Sequence, residues 1–281
     1  MALKDILVHL DDSKECENRV AAAVALAKRH EASVTGIALA LESTISTYIG
    51  IDIPSNLSEV QKKLVQEAAE RAVAKFEKTA RDEGVSCTQK IVSCSATKAP
   101  AILAFSARHA DMTFLGQPNP GKESAHFLES LLEGVLFASG RPVYIVPYIG
   151  RPDTKVRTAV IAWDGGKKAA RAVNDAIPIL QGRGEAILLV INPEDRKEAL
   201  GDNPRMDIAA HLERHGVKAR VEILPHAEIA PGTVILNYLA DVGADLLIMG
   251  AFGHSRLREK AFGGATDTIL HQMTAPVLMS E

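Results

Sequence analysis

The sequence predicts two consecutive α/β units, each a five-stranded parallel sheet flanked by helices. Three observations carry that reading: the chain repeats itself, each repeat alternates short β-rich runs with longer helical patterns, and the second repeat runs from a strand through a glycine loop into a helix. Segment 110–143, beginning ADMTFLGQPN and ending GRPV, lies over segment 244–277, beginning ADLLIMGAFG and ending TAPV, at a constant offset of 134. That register puts Gly116 over Gly250 and Pro142 over Pro276. The beginnings match as well: KDILVHLDDS over RTAVIAWDGG is an apolar strand ending in aspartate twice, Asp11 and Asp164, at an offset of 153. An internal repeat of this length sets the architecture before any motif does.

Taken in order, the first repeat should place strands at 5–10, 33–39, 88–93, 112–115 and 143–146. Helices fall between them at 14–29, with Val20, Val24 and Ala27 on one face, and at 58–83, a long run of charged residues and alanines. The turn-rich stretch 148–154, punctuated by Gly150 and Pro152, links the repeats. The second repeat should place strands at 159–163, 186–191, 220–224, 246–249 and 277–279, with helices at 168–180 and 204–215. A β-α-β-α-β-α-β-α-β order with these run lengths is the pattern of a parallel sheet covered on both faces, a Rossmann-like domain. The division expected is 1–150 and 151–281. The two offsets differ by about 19 residues, and that surplus in the first repeat is expected at 42–61, a Ser/Thr/Ile/Pro-rich stretch after the second strand.

Composition excludes several classes of function. Hydrophobic residues make up 47% and charged residues 24%, enough for a sizeable core. A formal charge of -3 gives no basic field for nucleic acid, so neither DNA nor RNA is an expected partner. Cys16, Cys87 and Cys94 are an odd count without C-x2-C spacing, which argues against a disulfide framework or zinc site and fits a reducing compartment. Cys87 and Cys94, seven apart around one strand, should face opposite sides of the sheet as structural thiols. The start, MALKDILVHLDD, has too short an apolar run for a signal peptide, and no apolar stretch is long enough to span a membrane. A cytoplasmic protein without a membrane partner is expected.

The chemistry concentrates in MGAFGHSRLREKAFGGAT, where Gly250, Gly253 and Gly263 are spaced G-x2-G-x9-G after the apolar run 244–249. Glycine lets a backbone turn with positive φ and approach a ligand closely, so such a loop can aim several N–H groups at one anion. Gly263 and Gly264 would open the last helix, whose free N–H groups attract phosphate, and Thr266 adds a hydroxyl in its first turn. Doubly wound sheets bind at the carboxyl ends of their strands, where Asp164 and Gly250 should meet. The bland alternative is that the glycines serve tight strand-to-helix packing.

At these residues the chain resembles the universal stress protein family in its tandem form, with two domains of the adenine nucleotide alpha hydrolase-like fold in one polypeptide. The resemblance covers nearly the whole chain. It implies a stress-response protein that binds ATP, with Mg²⁺ as a companion ion. Carried over, Ala162, Asp164 and Ile191 would read base and ribose, while Gly250, Gly253, Gly263, Gly264, Ala265 and Thr266 would take ribose and phosphates. His254 joins the loop as a candidate phosphate contact. One departure is Gly264, which stands where the family usually has Ser or Thr. The resemblance also implies pairing of the last strands of the two domains, here RPVYIVP and APVLMSE, giving an intramolecular pseudo-dimer and, beyond it, a homodimer. No residue is an obvious base to activate water, so a nucleotide-dependent regulator is the expectation, with a slow ATPase and a nucleotide-free scaffold as the alternatives.

The same register marks the first repeat as degenerate. Asn119 stands over Gly253, Glu129 over Gly263, Ser130 over Gly264 and Leu132 over Thr266, while Asp11 remains. GQPNPGKES at 116–124 comes close to the P-loop pattern. Glu123 takes the hydroxyl position, however, and Pro118 and Pro120 remove two N–H donors. His211 and His215 lie at i,i+4 without a third ligand, the spacing of a solvated helix face rather than a metal site. Trp163 is expected to pack beside the site or at the domain interface, and the insertion at 42–61 could give the first repeat a different pocket.

Overall fold

The computed structural model describes residues 2–42, 55–150, 155–182, 184–191, 204–224, 229–251 and 264–281. In the first repeat the chain runs β1 (Asp5–Leu10), α1 (Lys14–His30), β2 (Ser33–Glu42), α2 (Ser55–Asp82), β3 (Cys87–Ser95), α3 (Ala99–Ala107), β4 (Met112–Gly116), α4 (Ala125–Ala138) and β5 (Val143–Val146). The second repeat follows with β6 (Thr158–Ala162), α5 (Lys167–Leu180), β7 (Glu185–Ile191), α6 (Pro204–Arg214), β8 (Lys218–Leu224), α7 (Pro231–Val242), β9 (Leu246–Gly250), α8 (Gly264–Gln272) and β10 (Val277–Ser280). Every strand expected from the sequence is present.

The strands form one ten-stranded sheet in the order β3-β2-β1-β4-β5-β10-β9-β6-β7-β8. Each half is parallel, and the halves meet where β10 pairs antiparallel with β5, Leu278 opposite Tyr144. The pairing expected of RPVYIVP and APVLMSE is thus made within one chain. Strand register repeats the sequence register: Ile6 pairs with Met112 as Ala159 pairs with Leu246, and Thr113 with Val143 as Leu247 with Val277. Central strands such as β1 and β4 are apolar and buried on both faces, as parallel sheets covered by helices require. Cys87 and Cys94 join the clusters on opposite faces of the sheet, and all three cysteines are free.

Of the stretch 42–61 in which the surplus length is expected, 43–54 lies outside the described residues. Among the described elements the repeats differ in the helix that precedes the third strand, since α2 has 28 residues and α6 has 11.

Helix α1 shows why the sequence folds locally as it does. The Ser13 hydroxyl accepts the Cys16 N–H at 3.2 Å, Glu15 and Glu17 lie in the first turn, and Lys28, Arg29 and His30 lie in the last, each sign complementing the helix dipole. A second device recurs in both repeats. The Asp111 carboxylate accepts the N–H groups of Lys4 and Asp5 at 2.7 and 3.1 Å, and Asp245 accepts those of Arg157 and Thr158 at 2.8 and 3.0 Å. Each aspartate tethers the start of the first strand of its repeat to the start of the fourth, which explains the recurring Ala-Asp before β4 and β9. Hydrogen bonds to a charged acceptor contribute more than neutral ones, so Asp245→Ala should lower unfolding free energy by about 1.5–3 kcal/mol. Urea unfolding checks this, and an unchanged midpoint would remove the tether from the account of the fold.

Candidate functional site

In a sheet half of order 3-2-1-4-5 the crevice opens between the first and fourth strands, where the direction of connection reverses. Two such crevices exist, at the carboxyl ends of β6 and β9 and of β1 and β4. In the second repeat, Ala162 ends β6 opposite Leu189 of β7 and Met249 of β9. Gly250 follows Met249, and Ile191 ends β7, so the sheet brings Ala162, Ile191 and Gly250 to one edge. Asp164 lies two residues beyond β6, and its Oδ1 accepts the Gly166 N–H at 2.8 Å, shaping the turn into α5. Gly264, Ala265 and Thr266 form the first turn of α8. Gly253, His254 and Gly263 lie outside the described residues.

These positions differ in what holds them. A Cβ on Gly250 would lie 2.7 Å from Lys168 Cβ and 2.8 Å from the Ala169 nitrogen, so the first turn of α5 approaches β9 only because residue 250 is glycine. Ala265 packs under Gly232 of α7, where an added Cβ would come within 3.1 Å of its backbone. Thr266 is buried, at 2% exposure, rather than presented to solvent. Among the described residues nothing lies within 4 Å of a Cβ added at Gly264. Trp163 packs against the edge of the core, and its backbone N–H donates to Leu189 O at 2.9 Å.

The first repeat holds a different arrangement, one that the sequence did not reveal. Arg19, on the inner face of α1 and 1% exposed, donates from Nε to His9 O at 2.7 Å and from Nη2 to Asp11 Oδ2 at 2.6 Å. The Ser13 N–H donates to Asp11 Oδ1 at 2.9 Å. Gly116 makes room for the guanidinium, since a Cβ there would sit 2.6 Å from Nη1. The offset of 153 puts Ala172 at the matching position of the second repeat, so the ion pair belongs to the first alone. Burial would raise the Asp11 carboxyl, but Arg19 foremost, then His9 and the Ser13 hydrogen bond, outweigh burial and hold it well below the usual carboxylate range. His9 is 3% exposed, and burial, aided by Arg19, lowers its pKa from 6.5 to about 4. Its ring is therefore neutral, and the 3.8 Å approach of Nδ1 to Asp11 is no ion pair at pH 7.

The remaining sequence candidates fall into place. Lys122, of the P-loop-like string, donates to Glu15 Oε1 at 2.6 Å, and the Gly121 N–H is taken by Asn119 Oδ1 at 3.0 Å, so that loop is closed on itself. Glu129 interacts with His126 at 3.2 Å and lies 3.9 Å from His271 of α8. His211 meets Asn174 at 3.2 Å, and no group of His, Cys, Asp and Glu suited to a metal occurs among the described residues. Burial pushes all three cysteine thiols up, which leaves them poor nucleophiles at neutral pH. No helix among the described residues is long and apolar enough to cross a membrane.

Strand order and twin crevices define a tandem protein of the doubly wound α/β class. The universal stress protein family model matches residues 2–147 and again 155–280, and the chain belongs to that family. Universal stress protein Slr1230 of Synechocystis sp. is 46% identical over 68 residues, a stretch covering 24% of this chain and 22% of that relative. A universal stress protein from Archaeoglobus fulgidus superposes over 99% of this chain and 96% of its own, with a TM-score of 0.73 at 18% identity. A Pseudomonas aeruginosa PAO1 protein does so over 99% and 92%, with a TM-score of 0.58 at 14% identity. Both structural likenesses are likenesses of fold.

The buried histidine gives the first repeat a defined response to acid. In the unfolded chain His9 takes up a proton near pH 6.5, while in the folded protein it resists until about pH 4. Its contribution is therefore intact above pH 6.5 and lost as pH falls toward 4, about 3 kcal/mol over that window. Asp11, depressed from its usual 3.8, acts in the same direction at lower pH: its stabilisation is present above 3.8 and is lost below it. In urea unfolding at pH 7, 5.5 and 4.5, His9→Gln should flatten the slope between pH 6.5 and 4.5 by about one proton. A slope equal to that of the parent protein would rule His9 out as its source.

Proposed function

We propose that the second domain, residues 151–281, binds ATP or a related adenine nucleotide, with Mg²⁺, and that the protein is a cytoplasmic stress-response regulator. On this reading the first domain, 1–150, has no nucleotide site. The observation that carries the proposal is the G-x2-G-x9-G string, which starts at the end of β9 and leads into α8 beside the crevice between β6 and β9. Asp164 and Ile191 would face the nucleoside there, and the first turn of α8, from Gly264 to Thr266, would offer N–H groups to phosphate. The first repeat supplies the internal contrast. Asp11, the counterpart of Asp164, is engaged by Arg19 and Ser13, and Glu129 places a carboxylate where Gly263 stands in the second.

A second reading, a nucleotide-free interaction protein, is favoured by Gly250, whose missing side chain is fully accounted for by the packing of α5. Titration calorimetry with ATP decides between the two. One site per chain is expected, abolished by Gly263→Glu, which copies the residue of the first repeat. No heat at millimolar ATP would leave the interaction reading. Gly264→Ser should tighten binding roughly two- to tenfold, the value of one added hydrogen bond, because its side chain meets none of the described residues. Weaker binding by that variant would show that Gly264 does not face the phosphates.

A further inference from the structure

The crevice of the first repeat is not filled in. A cavity of about 460 Å³ remains over the Arg19–Asp11 pair, at the carboxyl ends of β1, β2 and β4. Its walls are apolar: Leu39 and Leu41 from β2, Val65 and Ala68 from the extended helix α2, and Phe127 and Leu128 from α4. Its size lies within the range of small-molecule sites.

The charges around it are already matched. Three carboxylates line the cavity, Asp11, Asp12 and Glu15, against two cations, Arg19 and Lys122. Arg19 binds Asp11 at 2.6 Å, Lys122 binds Glu15 at 2.6 Å, and Asp12 is held from outside by Arg71 at 2.9 Å. A phosphate tail entering here would find both lining cations already paired with carboxylates. The backbone donors of the loop 118–122 do not compensate. Pro118 and Pro120 have no N–H, and the N–H groups of Gly121 and Lys122 donate within the loop to Asn119 Oδ1 and Asn119 O at 3.0 and 2.9 Å.

Apolar walls and charges that are already paired together specify the occupant. We propose that this cavity binds an uncharged, largely apolar small molecule, and that it does not bind a nucleotide.

The probe is N-phenyl-1-naphthylamine, a neutral aromatic amine that fluoresces on leaving water, titrated into the full chain. Saturable enhancement at one site per chain is expected, undisturbed by millimolar ATP. Ala68→Trp and Leu128→Trp, which fill the cavity from opposite walls, should each weaken binding at least tenfold in protein whose circular dichroism matches the parent. Two walls are used so that a fold defect in one variant leaves the other as the test. Gly263→Glu should bind the probe normally, so that failure of nucleotide binding in the second repeat and failure of this site are read separately. No enhancement, displacement of the probe by ATP, or undiminished binding in a folded tryptophan variant would overturn the proposal.

Discussion

The antiparallel pairing of β5 with β10 is the contact on which the architecture depends. Each half-sheet alone would end in a short, fully buried apolar strand, VYIV or VLMS, with one row of backbone donors and acceptors unpaired. Such an edge invites association with another chain. Here each strand is the other's partner, and two parallel half-sheets become one sheet about a local twofold axis. The Gln117 side chain, 3% exposed, adds a second tie by donating to Leu270 O of α8 at 2.8 Å and accepting the Tyr148 N–H at 3.2 Å. Tandem duplication makes this joint intramolecular, so it does not depend on protein concentration.

From this shared frame the two crevices diverge through a few substitutions. Gly116 and Gly250 occupy equivalent ends of β4 and β9, and each leaves space that something else takes. In the first repeat it is a guanidinium from the second turn of α1, which draws in Asp11 and leaves His9 neutral. In the second repeat, with Ala172 in place of Arg19, the first turn of α5 itself comes close. A glycine at the equivalent strand end thus makes room for a guanidinium in one repeat and for a helix turn in the other.

The sequence made the fold legible because the repeat tested itself. Two offsets predicted the strand register in both halves, and parallel strands buried on both faces show as unbroken apolar runs. In the second repeat, Ala162, Asp164, Ile191 and Gly250 could be placed at strand ends because strand ends follow from register. The Arg19–Asp11 pair could not. An arginine early in an amphipathic helix reads as a solvated side chain, and only the approach of β4 without a Cβ shows that it turns inward.

Gln117 bears on whether the two crevices act together, since it lines the cavity of the first repeat and holds α8 of the second. Coupling between sites requires an element with two arrangements that the ligands bias differently. A buried amide with both its oxygen and its nitrogen hydrogen-bonded has one good arrangement, because a flip would set donor against donor and acceptor against acceptor. As built, the tie fixes the two repeats in register rather than switching them. For the two proposed sites, the joint favours independent occupation.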